Sequence, residues 1–295
     1  MLIFYYKCIT ILSKALGVWV FNFSAWIIAA GYFLLFPARV KNSVNFYRAL
    51  YPDRSRSYLL KCAWKQFHNF TDVFIDRFLL QEFDDVSYNS RGWSHLEHAL
   101  SGGSGAILLM SHVGNWEVAA YLLRRRKQDL KVLLYMGVKH KEQIERIQKQ
   151  SLSQSGISII AVDPDSGSPA DLIEGIKFIN AGGIVSLTGD VVWRKDQRVI
   201  AAEFLGHEVY LPEAPHLFAL LSGAPLLIFF AFRSGDRTYD FSLSEPIYVR
   251  AANRADRTAA IRRSAQKYAD FLEETVRHHP LQWYHFKPFL GPKLK

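Results

Sequence analysis

His112 and Glu117, with four residues between them in the stretch SHVGNWE, are the pair in this chain whose types best suit proton transfer. An imidazole titrates near pH ~6.5, so it can take and return a proton around neutrality. A carboxylate on its second ring nitrogen fixes the tautomer and steadies the imidazolium. Asp190, after the apolar run IVSLTG, is a second acid that can meet His112, so the orienting partner is Glu117 or Asp190. The spacing is not that of helical zinc ligands, and two cysteines, Cys8 and Cys62, make neither a metal cluster nor a disulfide framework. Ser111 adjoins His112, but neighbouring side chains on an extended chain point apart, and no Gly-x-Ser-x-Gly elbow is present. By spacing alone the pair also fits an ordinary loop histidine beside a helix-terminus acid.

The elements around this loop give it a place. Apolar, strand-like runs fall at 106–110, 131–136, 157–162, 184–188 and 226–232, with helix-like stretches at about 115–126, 140–154, 169–180 and 213–222. Such alternation predicts an α/β domain with a mixed or mostly parallel sheet flanked by helices. Residues 239–249 read as a later edge strand or hairpin, because Pro246 excludes a central position. A final helix is expected at 256–278. His112 then sits on a loop at a strand's C-terminal end, where ligands bind in open α/β sheets. Gly114 allows a tight turn and Asn115 caps the following helix. Their amides are candidate donors to an oxyanion. Arg194, Lys195 and Arg198 form a basic loop suited to phosphate or an acidic protein.

The net charge of +9 is concentrated near the N-terminus. Residues 1–80 carry ten Lys or Arg and three Asp, and the remainder is nearly balanced. That distribution points to anionic lipid rather than nucleic acid. Between Lys14 and Arg39 lie 24 residues without a charge, enough for a helix of ~36 Å. The segment 1–38 is therefore expected to be a membrane-anchoring helix ended by Pro37, with one domain over 39–295. A cleaved signal peptide, a buried helix and a helix lying in one leaflet are the alternatives. The basic excess after the segment predicts that the body faces the cytoplasm. Residues 54–80 form an amphipathic helix, with Leu59, Ala63, Phe67, Phe70 and Phe74 on its core side and Lys61, Lys65, Asp72 and Asp76 on the other.

SHVGNWE resembles the His-x4-Asp/Glu signature of the bacterial lipid A biosynthesis (lauroyl/myristoyl) acyltransferases, which are similar to glycerolipid acyltransferases. The segment 183–233, with Gly189-Asp190, a basic stretch and Phe204-Leu205-Gly206, resembles the corresponding part of that family. HPLQWYHFKPF at 279–289 resembles its C-terminal Pro-x-Gln-Trp element, and the apolar N-terminus matches as well. Trp193-Arg194-Lys195 departs from the usual basic stretch, which bears on the acceptor more than on the chemistry. The resemblance implies acyl transfer from a thioester, commonly on acyl carrier protein, to a hydroxyl of a membrane glycolipid or lysolipid, with no cofactor and no metal. It implies a catalytic set of His112, Glu117 and Asp190, substrate contacts at Gly114, Asn115 and Arg194, and a place on the bacterial inner membrane. The other readings are a lysophospholipid or other lipid acyltransferase, an anchored esterase or thioesterase, and a lipid-binding scaffold.

Overall fold

Five runs of small and branched apolar residues make five consecutive strands of a seven-stranded sheet in the computed structural model. The structure describes residues 2–83, 87–103, 105–116, 118–120, 123, 130–137, 158–162, 169–193, 196–235 and 237–294. The strands are β1 (Ser87–Arg91), β2 (Ala106–Met110), β3 (Val132–Gly137), β4 (Ser158–Val162), β5 (Ile184–Thr188), β8 (Leu226–Gly235) and β9 (Thr238–Leu243). The separate hairpin strands β6 (Val199–Phe204) and β7 (His207–Pro212) precede β8 in the chain. The sheet order is β1-β9-β8-β2-β5-β3-β4. Strands β8, β2, β5, β3 and β4 run parallel, while β9 and β1 run the other way. All five residues of β2 are buried, as a strand covered on both faces requires.

The expected α/β architecture is thus present, with two differences at its margin. The strand at 238–243 makes the expected hairpin, with β8, but it is interior, between β8 and β1, and it stops before Pro246. The edge belongs to β1, whose polar sequence SYNSR carries no hydrophobic alternation. The helix expected at 140–154 lies outside the described residues. Helices at Pro169–Asn180 and Ala214–Ser222 match their expected positions, and the long helix Arg257–His278 packs its Ile261, Tyr268, Leu272 and Val276 into the core.

The N-terminal segment differs more. The single helix expected between Lys14 and Arg39 is divided into α1 (Leu2–Leu16), α2 (Trp19–Leu35) and α3 (Pro37–Leu50). Gly17 adopts φ 103°, which interrupts the helix after Leu16. Pro37 does not simply end a helix: it begins α3, since proline needs no amide partner in a first turn. The chain bends by 90° between α2 and α3. No single described helix is long and apolar enough to cross a membrane, although α2 and α3 together have the length and composition. One side of α2 packs on α4 (Arg56–Phe83) and buries Phe21, Ser24, Ala25 and Ala29. On α4 the expected wet side is only partly wet. Asp76 is 2% exposed, because Asn115 donates toward its Oδ2 at 3.5 Å and Arg233 lies 3.8 Å from its Oδ1.

Candidate active site

Strand register brings the principal polar pair together. Strands β2 and β5 are parallel neighbours, and Met110 stands opposite Thr188 at their ends. Two residues further along each chain come His112 and Asp190. The amide of Gly189 donates to the Met110 carbonyl at 2.8 Å, so the two loops leave the sheet side by side. Asp190 Oδ1 then lies 2.9 Å from His112 Nδ1, and Asp190 Oδ2 accepts the His112 backbone N–H at 2.8 Å. The Trp283 indole N–H donates to the same Oδ2 at 3.0 Å. The Asp190 side chain is fully buried, while that of His112 is 31% exposed.

Electrostatics follow from these contacts. Burial pushes the Asp190 carboxyl upward, but the neighbouring His112 charge and hydrogen bond, His285 and the Trp283 indole outweigh it and hold the group at about 2. The carboxylate is therefore ionised throughout the neutral range. An ionised partner accepts, so His112 Nδ1 carries the proton and Nε2 presents a lone pair. Among the described residues Nε2 has no hydrogen-bond partner. Such a ring can take a proton from a hydroxyl at its exposed edge and hold it as imidazolium against a fixed negative charge.

The turn after His112 is built for close approach. Gly114 has φ 72°, and a Cβ there would stand 1.8 Å from the Ala231 carbonyl oxygen. Asn115 caps the next helical turn, its Oδ1 accepting the Val118 N–H at 3.3 Å. Both residues therefore shape the loop, but their amides are not open to an oxyanion. Gly114 N–H donates to the Gln282 carbonyl and Asn115 N–H to the Ala231 carbonyl, each at 2.8 Å. Asn115 is also buried, so it offers substrate no side-chain contact. Ser111 accepts the Val113 N–H at 3.0 Å and is buried, which leaves no exposed nucleophile beside the histidine. Glu117, Arg194 and Lys195 lie outside the described residues. Arg198 is exposed, and Trp193 is 6.4 Å from the His112 ring with the Lys287 ammonium 4.9 Å from the indole centre.

Sequence reasoning missed the contribution of residues 279–286, which run across the back of this loop without regular structure. Gln282 bonds twice to Arg233, Tyr284 N–H donates to the His112 carbonyl at 2.7 Å, and the Trp283 carbonyl accepts from Gln66. His285 stacks on Trp283 and stands 6.1 Å from His112. Desolvation lowers His285 to about 4, so it is neutral where His112 works. The signal available was the density of hydrogen-bonding aromatics in HPLQWYHF, two of them histidines. An open groove of about 400 Å³ lies elsewhere, between Trp26, Asn69, Asp72 and Arg233, and His112 is not among its lining residues.

Residues 45–290 match the family described as bacterial lipid A biosynthesis acyltransferase. Two curated relatives are phosphatidylinositol mannoside acyltransferases from Mycobacterium tuberculosis strains H37Rv and CDC 1551. They are 23% and 26% identical to this chain over 206 residues, 67% of its length. The chain spans 58% of the length of these relatives.

Proposed function

The chain belongs to the bacterial lipid A biosynthesis acyltransferase family, and on that premise we propose that it transfers a fatty acyl group from a thioester to a hydroxyl of a membrane lipid or glycolipid. The observation that carries this reading is the His112–Asp190 pair at the ends of two adjacent parallel strands, with the imidazole's second nitrogen on the exposed side. His112 Nε2 takes the proton of the acceptor hydroxyl as its oxygen bonds to the thioester carbonyl carbon. The tetrahedral intermediate collapses, the carbon–sulfur bond breaks, and the imidazolium returns its proton to the departing thiolate. Asp190 stays anionic throughout and compensates the imidazolium. Because the amides from His112 to Asn115 all have internal partners, the oxyanion is stabilised from another part of the site.

The donor in this reading is acyl carrier protein, whose acidic surface suits an exposed basic group near the site, the Lys287 that overlies Trp193. The acceptor is a lipid A precursor or a related glycolipid; the mycobacterial relatives are named for a mannosylated phosphatidylinositol.

The protein meets that acceptor at the cytoplasmic face of the inner membrane. Support comes from the outer side of α1 and α2, where Leu16, Trp19, Phe23, Ile27, Leu34 and Leu35 are 51–76% exposed. Arg39 lies over Tyr32 and Phe36, and Arg54 over Tyr58, as cations do at a headgroup boundary. The 17 residues of α2 cover ~25 Å, less than the ~30 Å hydrocarbon layer, and one side is packed on α4. A helix in that situation lies in one leaflet rather than spanning. Labelled acyl carrier protein incubated with purified protein and separate lipid acceptors tests the whole reading. Acylated lipid is the expected product. Free fatty acid alone would make the protein a thioesterase, and binding without turnover would make it a scaffold.

A further inference from the structure

The segment His279–Phe286 touches the catalytic loop at more points than a terminal tail needs. It accepts the Gly114 N–H at Gln282, pairs Trp283 with Val113 in a β-bridge, and donates from Tyr284 to the His112 carbonyl. It is itself held by α3 and α4: Tyr47 donates to the Pro280 carbonyl, Asn42 to that of Phe286, and Gln66 to that of Trp283. Trp283 is 1% exposed and packed edge-on against Phe46 and Phe289. The one polar atom of its side chain, Nε1, meets Asp190, the carboxylate bonded to His112.

The two oxygens of Asp190 are used unequally. Among the described residues Oδ1 serves the imidazole alone. Oδ2 takes two donors, the His112 backbone and the Trp283 indole. Without the indole, both remaining donors would belong to His112 itself. The carboxylate would then turn with the loop it is supposed to orient. Among the described residues the indole is the only donor to this carboxylate from a separate segment, and that segment is fixed to two helices. A hydrogen bond to an ionised group is stronger than a neutral one and carries geometric specificity.

We propose that Trp283 is a positioning residue for the acyl-transfer reaction: its indole N–H locks the rotation of Asp190, so that Oδ1 remains on His112 Nδ1 and Nε2 remains the basic nitrogen. The inference rests on the reading of His112 as the general base. It extends that reading by assigning a role to the C-terminal segment, which otherwise serves as packing.

Two substitutions separate the N–H from the packing. Trp283→Phe keeps an aromatic six-membered ring and loses the donor. Trp283→His loses the fused ring, but its Nε2–H falls where the indole N–H was. If the N–H positions Asp190, kcat falls by about tenfold in Trp283→Phe with KM nearly unchanged, and Trp283→His retains more of kcat. If Trp283 only fills space, the order reverses, since the phenylalanine fills more of it; that order overturns the proposal. The effect of Trp283→Phe should also vanish in an Asp190→Asn background, and full additivity would overturn it. His112→Ala, assayed beside them, distinguishes the two layers. A near-normal rate in His112→Ala removes the base and this proposal with it. An inactive His112→Ala beside a fully active Trp283→Phe removes the proposal alone. Circular dichroism checks the fold of each variant. If Trp283→Phe does not fold, the indole proton resonances of the seven tryptophans decide. One should move on Asp190→Asn in otherwise native protein, and seven unmoved resonances would overturn the contact.

Discussion

Trp283 and Trp19 mark two regions that use the same residue type in opposite ways. Trp283 is buried, its indole N–H bonded to a carboxylate and its ring enclosed by aromatics. Trp19 is 63% exposed, and its N–H only closes a local turn onto the Leu16 carbonyl at 2.8 Å. Around Trp283, the Asp190 carboxylate is removed from water and given internal donors, which fixes its position against the imidazole. Around Trp19, apolar side chains are left exposed, a cost that an apolar partner would offset. In the proposed reading the body carries the reaction, and the exposed face of the N-terminal helices is what meets lipid. Each contrast predicts a different failure when it is disturbed.

The largest expected effect is at His112. His112→Ala should lower acyl transfer by about 10²–10⁴-fold while the circular dichroism spectrum stays native, since positioned general-base catalysis contributes on that scale. Binding to vesicles should be unaffected, which is what independent regions require. Asp190→Asn comes next, with a loss of about 10²-fold or more from misorienting the ring. Combined with His112→Ala it should add little, because an orienting acid has nothing left to orient. Additive losses in initial-rate measurements would place Asp190 outside the His112 unit.

The N-terminal region should respond in the reverse sense. Replacing Trp19, Leu34 and Leu35 by serine removes three exposed apolar side chains, each contributing ~1.5 kcal/mol or more when buried in lipid. Vesicle affinity in a flotation assay should then fall by about 100-fold or more. The rate toward a detergent-dispersed acceptor should hold. A variant that binds vesicles normally would mean that this face is covered by something other than lipid.

Legibility in the sequence followed the same division. The central strands were readable because burial on both faces leaves nearly uninterrupted apolar runs, as in AILLM at 106–110. His112 and Asp190 were readable as strand-end residues, but their pairing depends on β2 lying beside β5, which no local pattern encodes. Strand β1 was invisible because an edge strand with polar residues has no amphipathic period. Asp76 looked solvated on a helical projection; a partner 157 residues away, Arg233, is what makes its burial tolerable. The division of the N-terminal helix at Gly17 and Pro37 was masked because hydropathy is a sum over composition, whereas breaks are set by single backbone angles. Trp283 was visible as part of the Pro-x-Gln-Trp element, but its contact with Asp190 was not: that is one hydrogen bond, made from a segment without periodicity.

The smallest effect concerns acidity, and it sharpens the contrast because it should touch one region and spare the other. His216 is fully buried on the helix Ala214–Ser222, with Nδ1 bonded to Ser264 at 2.9 Å, and desolvation lowers it to about 4. His285 is lowered to about 4, chiefly by the same cause. In the unfolded chain both titrate near ~6.5. Above that pH both states are neutral and neither histidine makes stability depend on pH. Between ~6.5 and about 4 the unfolded chain binds protons that the folded one does not, so stability falls as pH falls. Asp190 contributes in a lower window: its carboxyl, held at about 2, favours the folded state above the ordinary carboxylate value of ~3.9 and loses that contribution as pH drops toward 2. Between pH 7 and pH 5, therefore, His216 and His285 act and Asp190 does not. The thermal midpoint should be lower at pH 5, and His216→Gln should shrink the difference between the two pH values even if it lowers both midpoints. Vesicle binding should not weaken over that interval, because the cations beside the apolar face, Arg39 and Arg54, keep their charge. A midpoint equally pH-dependent in His216→Gln would mean that this histidine is not the group whose protonation opens the core.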